Sequence, residues 1–348
     1  MNAMTYSERA ATLQTADQAL RQTEPKLRIR DRALRLQVSE AELVAAECGV
    51  KATPLKGTAQ AIFRDLAPLG EVMVLSRNEW CVHERHGEYE QIEAEKAIGM
   101  VLGADLDLRM FFNAWQSHFA VQEGERLSLQ FFDGAGVAVH KIFMTANSNI
   151  AAYQALVAKF TDAAPAWPEI AAYPIDAMPR DAADPAALRA AWLALTDTHG
   201  FFPMLRKNQV SRLGALRAAG ADLAQAVAID AVETMLQQAA DSELAIMCFV
   251  GNRGMVQIHS GPVKKLLRTG PWFNILDEKF NLHLNTTAIA SCWIVNKPTV
   301  DGWVTSLEVY SESEELIVQF FGVRKPGVPE LAAWRTLLEN LCHTPLAQ

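Results

Sequence analysis

Five ordered matches between the two halves of the chain restrict its fold more than any single motif. Val38-Ser39 and Val210-Ser211 lie 172 positions apart, each opening an apolar helix that ends in Ala-Ala. Asn78 and Asn252 lie 174 apart, inside MVLSRNEWCVHERHG and MCFVGNRGMVQIHSG. Leu108-Arg109 and Leu282-His283 also differ by 174, Ser128-Leu129 and Ser306-Leu307 by 178, and Tyr153 and Trp334 by 181. A slowly drifting offset is the mark of a duplicated domain, because repeats this long bury their own cores rather than stacking as solenoid units. The expected architecture is α+β: a tandem duplication of a unit in which helices pack on a large antiparallel β-sheet. Residues 1–24 read as an N-terminal extension, 25–160 as the first repeat, 161–184 as a linker and 185–348 as the second repeat.

Local signals support that unit. Ser39 followed by Glu42 is a capping box. The alternating runs 72–75 and 80–84 flank a turn, and 127–132 and 137–144 flank the hairpin sequence DGAG. The segment 161–184 holds four prolines and no convincing long element, as a linker or surface-hugging crossover would. Asp184-Pro185 then supplies an N-cap and a first-position proline for a helix running through Leu188, Trp192 and Leu195 towards His199.

A net charge of −8 argues against a nucleic-acid-coating surface and leaves room for a local basic cluster. The first twenty residues contain no apolar signal-peptide core, and no run of about 18 apolar residues occurs, so a cytoplasmic protein without membrane insertion is expected. Five widely spaced cysteines without a Cys-x-x-Cys pair indicate reduced core thiols, neither a disulfide scaffold nor a zinc site.

The basic cluster lies in TDTHGFFPMLRKNQVSRLGALR, residues 196–217. One histidine, His199, stands beside Phe201 and Phe202, with Arg206, Lys207, Arg212 and Arg217 beyond. An imidazole, an aromatic lining and cations suit a large flat ligand carrying a metal and carboxylates. A helix end with one half-buried histidine, core phenylalanines and a solvated basic face would read the same way. Asp197, two residues before His199, falls off its face if the helix is continuous. Gly251 and Gly254 lack the strand-to-helix context of a phosphate loop.

Taken together, VSEAELVAAECG (38–49), GEVMVLSRNEWCVHERHG (70–87), LGADLDLRMFFNAW (102–115), TDTHGFF (196–202), VSRLGALR (210–217), FVGNRGMVQIHSGPV (249–263), NKPTVDGWVTSLEVY and VQFFGVRKPG give the chain a likeness. It resembles the bacterial hemin transport and hemin-degrading factors, haem-handling proteins of iron acquisition. The resemblance implies a haem cleft between the halves, with His199 as axial ligand of the haem iron and Arg109 as the distal, catalytic arginine. Arg212, Lys297 and Arg324 would meet the propionates, and Phe112 and Phe249 would line the ligand. It further implies an inner-membrane haem importer as donor and a haem oxygenase or other cytoplasmic protein as acceptor. Oxidative ring opening with O2 and an external reductant is the alternative activity, and a duplicated interaction domain without haem the third reading. His283, the repeat partner of Arg109, is not assigned as a second ligand, since duplicated halves often keep one working site. The chain departs from the family pattern at Asn113-Ala114, where a histidine precedes the tryptophan, and at Gly200, where a more polar residue stands.

Overall fold

The computed structural model describes residues 5–173, 181–325 and 327–348; residues 1–4 of the expected extension and 174–180 of the expected linker lie outside the described residues. The architecture is α+β, with helices packed on two large antiparallel sheets. The first repeat contributes α1 (Tyr6–Thr23), α2 (Ile29–Leu36), α3 (Glu40–Ala46), β1 (Ala52–Pro54), α4 (Ala59–Phe63), β2 (Gly70–Arg77), β3 (Cys81–Gly87), β4 (Gln91–Glu93), β5 (Ile98–Leu102), β6 (Asp107–Phe111), β7 (Trp115–Glu123), β8 (Arg126–Asp133), β9 (Ala138–Ser148) and α5 (Ile150–Phe160). The second contributes α6 (Pro185–Leu193), α7 (Phe201–Lys207), α8 (Arg212–Ala218), β10 (Ala224–Val227), α9 (Ala231–Asp241), β11 (Ile246–Gly251), β12 (Met255–Gly261), β13 (Leu266–Thr269), β14 (Trp272–Leu276), β15 (Phe280–Asn285), β16 (Ser291–Thr299), β17 (Gly302–Tyr310), β18 (Leu316–Gly322) and α10 (Ala332–Glu339). Adjacent strands run β1-β7-β8-β9-β2 in one repeat and β10-β16-β17-β18-β11 in the other, and β6-β5-β4 matches β15-β14-β13. The duplication is therefore visible strand by strand.

Two compact units emerge, and neither is one uninterrupted stretch of chain. The first comprises the described residues among Met1–Arg77, His83–Pro174 and Gly251–Gln257; the second comprises those among Asn78–Val82, Ile175–Val250 and Ile258–Gln348. Each includes a turn contributed by the other repeat. In the first unit Asn252 Nδ2 donates to Val139 O at 2.9 Å and Arg77 O at 3.1 Å, while its Oδ1 accepts from Gly254 N at 2.9 Å. Gly254 has to be glycine, because a Cβ there would lie 2.6 Å from Val139 and 2.9 Å from Trp115 Nε1. In the second unit Asn78 Nδ2 reaches Ile317 O at 2.7 Å, and its Oδ1 accepts from Cys81 N at 2.9 Å. The repeat-related asparagines thus do the same work, satisfying backbone groups that burial would otherwise orphan.

Strand alternation sends one face of each sheet to a helical layer. In the first unit Ile62, Phe63, Tyr153, Leu156 and Phe160 of α4 and α5 pack with Val72, Val74, Leu129, Phe131 and Ile142. Met235, Leu236, Trp334 and Leu338 of α9 and α10 do the same over Ile246, Cys248, Ile294, Leu307 and Phe320 in the second. Each such side chain contributes about 1.5–3 kcal/mol by leaving water. The opposite sheet face of the second unit receives α6, α7 and α8 through Leu188, Trp192, Phe201, Leu205 and Leu216, against Val295 and Tyr310.

The capping box of Ser39 and Glu42 and the Asp184 cap with Pro185 behind it form as expected, and Asp133 anchors the DGAG hairpin through Ala135 N and Val137 N, both at 3.0 Å. The helix expected to reach His199 does not: α6 stops at Leu193. Residues 161–173 of the expected linker lie against the first unit, where Trp167 stacks edge-on against Tyr6 with centroids 5.2 Å apart and Ala171 N donates to Gly134 O at 2.8 Å, whereas Asp181 pairs with Arg217 of the second unit. All five cysteines are free thiols, and Cys81, Cys248 and Cys292 are buried.

Candidate functional site

His199 sits in a turn of its own. Beyond the end of α6, Asp197 caps a single 3-10 turn, Thr198–Gly200, from which α7 starts. The Asp197 carboxylate accepts from His199 N at 2.8 Å and faces His199 Nδ1 at 2.7 Å, both through Oδ1. The pairing excluded for a continuous helix exists because the helix is broken, which lets a residue two positions back reach the ring. The imidazole is 91% exposed and Asp197 64% exposed. A carboxylate can only accept, so in neutral His199 the proton belongs on Nδ1 and the lone pair on Nε2.

Beneath the turn lies a buried ionic network. Phe201, the first residue of α7, packs edge-on against Trp192 at 4.6 Å, and Trp192 Nε1 donates to Asn296 O at 3.0 Å. Over the Phe201 ring stand Lys297 Nζ, 4.6 Å from the centroid, and the Arg212 guanidinium at 5.1 Å. Both cations bind Glu308: Lys297 at 2.9 Å, Arg212 through Nη2 at 2.7 Å and Nε at 2.8 Å. Tyr310 Oη donates to the same carboxylate at 2.5 Å and Gln319 Nε2 at 3.0 Å. Burial pulls Lys297 down to about 8, Glu308 resisting and Arg212 adding to the fall. Burial would raise Glu308, but the charges of Arg212 and Lys297 prevail and hold it well below the usual carboxylate range. Two cations and one anion leave one positive charge in excess. Lys297 is 3% exposed, whereas the Arg212 side chain keeps 26% of its surface, so that excess reaches the surface through Arg212.

Arg324 joins this region by another route. Its Nη2 lies 3.6 Å from Asp301 Oδ2, which also accepts from Gly327 N at 2.9 Å. The His199 backbone and side-chain hydrogen bonds hold Asp197 below the usual carboxylate range, and the Arg324 charge adds to the effect. Phe249 lies on the sheet face opposite the buried Cys248 and Val250, half-buried and edge-on to Phe321 at 5.0 Å. His199, Arg212, Lys297, Arg324 and Phe249 all belong to the second unit.

Arg109 and Phe112 belong to the first unit. Arg109 is on β6, whose alternation buries Leu108 and Met110 and leaves Asp107, Arg109 and Phe111 on the other face. Its Nη1 is bound to the Asp107 carboxylate and donates to Leu108 O at 3.1 Å. Burial raises Asp107 above its ordinary value despite the Arg109 charge. Across β5 the same face carries Ile98 and Met100, with Met100 directly opposite Arg109; Ile98 and Phe111 are exposed. This strand face thus carries Ile98, Met100 and Phe111 around the Asp107–Arg109 pair and is partly open to solvent. Phe112 is a correction: it is 4% exposed and packs edge-on against Phe63 at 5.7 Å in the core, since the short 3-10 turn after β6 rotates it inward. His283, repeat partner of Arg109, has its Nδ1 2.7 Å from Asn274 Oδ1.

Sequence reasoning missed Asp197, Glu308, and the Ile98, Met100 and Phe111 face. A glutamate inside the apolar strand sequence SLEVY was an available sign of a buried ion network. Among the described residues no group of three or more His, Cys, Asp or Glu side chains could hold a metal ion. A lone imidazole suits a metal that brings its other ligands with it, and the exposed Nε2 of His199, the excess positive charge and the half-buried Phe249 fit an iron porphyrin with carboxylate tails.

The model of the haemin-degrading HemS.ChuX domain matches residues 37–160 and again 209–341. The chain is 39% identical over 325 residues to the hemin transport protein HemS of Yersinia enterocolitica, covering 91% of this chain and 94% of that one. Among solved structures it is similar to holo-PhuS, a heme-binding protein from Pseudomonas aeruginosa, with 43% identity, a TM-score of 0.90 and coverage of 95% and 99%. It is also similar to the heme-degrading enzyme ChuS of Escherichia coli O157:H7, with 35% identity, a TM-score of 0.91 and coverage of 96% and 99%.

Proposed function

Because the chain belongs to the family of haemin-degrading HemS.ChuX domains, we propose that it binds haem and passes it on within iron acquisition. The observation that carries this reading is the solvent-facing Nε2 of His199, left as the lone-pair nitrogen by the contact of Nδ1 with Asp197. His199 is the axial ligand in this proposal. Arg212 and Lys297 supply the positive charge for a propionate, Arg324 borders the same region, and Phe249 offers a ring for the macrocycle edge. Arg109 is assigned the role of hydrogen-bond donor to a ligand the iron would carry, since a permanently charged guanidinium can donate without losing its own proton. Phe111, Ile98 and Met100 replace Phe112 as the apolar surround. The proposal places the protein in the cytoplasm, taking haem from an inner-membrane importer and giving it to a haem oxygenase or another acceptor; no helix among the described residues is long and apolar enough to cross a membrane.

The second reading is oxidative degradation, favoured by Arg109 standing on a partly open strand face. Haem would bring a redox-active iron, and O2 and an external reductant would be consumed. In that case Arg109 would donate hydrogen bonds at the site of reaction.

A hemin titration of the wild type and of His199→Ala tests the first reading. Tight binding with a Soret band that changes in the variant supports it; an unchanged spectrum removes His199 as ligand, and no binding leaves a duplicated interaction domain. Ascorbate with catalase, added to the loaded protein in air, separates carrier from enzyme: an isolated open-chain tetrapyrrole and released iron mark the enzyme, reduction alone the carrier.

A further inference from the structure

Two donors of one residue converge on a single oxygen in the His199 turn. His199 N at 2.8 Å and His199 Nδ1 at 2.7 Å both meet Asp197 Oδ1. The main-chain bond holds the carboxylate in place as the cap of the turn, and the ring then finds it already positioned. Free imidazole has no such constraint and can present either nitrogen. We propose that Asp197 is a positioning residue that fixes the Nδ1–H tautomer of His199, aims Nε2 outward as the donor nitrogen, and makes that nitrogen a stronger base. The role rests on the haem reading above and deepens it.

Water competes with this bond at present exposures, so the Asp197–His199 contact alone adds little stability. A ligand seated on Nε2 displaces that water and lowers the local dielectric, which strengthens the same contact. Hydrogen bonding of the second ring nitrogen to a carboxylate raises the basicity of the ligating one. A cap with no further role is the competing explanation, since aspartate is a common cap residue.

Asp197→Ser separates the two, because serine keeps a cap acceptor for the turn and removes the carboxylate from the ring; Asp197→Glu tests rescue. In the protein without hemin, nitrogen-15 NMR of His199 above its titration range is expected to show the Nδ1–H tautomer dominant in the wild type and Asp197→Glu, and reduced in Asp197→Ser. With hemin bound and reduced, the iron–histidine stretch in resonance Raman is expected to fall to lower frequency in Asp197→Ser and to return towards the wild-type value in Asp197→Glu. Hemin affinity is expected to drop about 10- to 100-fold in Asp197→Ser. Tautomer and stretch both unchanged in Asp197→Ser would reduce Asp197 to a cap and overturn the proposal. If hemin bound without His199, the NMR result would still decide the orientation, and the haem reading alone would fail.

Discussion

Glu308 is enclosed by the side chains of Arg212, Lys297, Tyr310 and Gln319 and has no exposed surface. Removing its charge leaves two cations facing each other with nothing between them. Glu308→Gln is expected to destabilise the protein by about 3–5 kcal/mol, read as a lower urea midpoint. The lysine of the network gives a pH signature. Folded Lys297 titrates near 8 against 10.5 for an ordinary lysine, so between those values the unfolded chain binds more protons and stability must rise with pH. Comparing urea unfolding at about pH 7 and about pH 10, Lys297→Met should lose this part of the rise; a variant with the wild-type slope would mean Lys297 keeps its proton when folded. At this scale sequence was a partial guide. It named His199, Arg212 and Lys297, but not the carboxylates that set their state, because Asp197 depended on a helix break and Glu308 on strands distant in the chain.

Elements were more legible where period and punctuation agreed. Ser39-x-x-Glu42, Asp184-Pro185 and DGAG each carry their own stereochemistry, and each formed. The short strands β4 and β5 were less legible, since 91–93 holds a single apolar residue, Ile92, and Gly99 interrupts the alternation of β5; there a Cβ would lie 2.5 Å from Phe112. The helix towards His199 failed for a related reason: apolar spacing continues through Leu195 while the backbone does not. Equally hidden was the assignment of the 251–257 turn to the first unit, because a turn sequence says nothing about which distant carbonyls it will meet. That assignment can be tested. Asn252→Ala orphans Arg77 O, Val139 O and Gly254 N, at a cost of about 2 kcal/mol. Faster amide exchange should appear in β7 and β9, which belong to the first unit, although the substitution lies in the second repeat. Acceleration confined to β16, β17 and β18 would contradict the division.

The repeats did not stay equivalent as charges, and this bears on the whole molecule. In the first unit Glu40 of α3 binds Arg77 and Lys141 of the sheet. The corresponding helix start in the second is Arg212, which binds Glu308 of β17, and Lys297 of β16 binds the same carboxylate. Each triad holds two cations and one anion with the helix sign reversed, so a duplicated scaffold kept the net charge while exchanging its source. Only the second repeat carries a histidine at the turn that opens the preceding helix, α7, and only the first carries an arginine where the second has His283. Binding limited to the folded state stabilises by about 2.7 kcal/mol at a hundredfold excess over Kd, so hemin should raise the melting temperature. Hydrogen exchange locates the gain: protection is expected both around residues 197–212 and along β5 and β6. In Arg109→Ala the second of these should fade while the first persists. Protection of the 197–212 region alone in the wild type would remove Arg109 from the haem site and with it the residue on which the degradative reading rests.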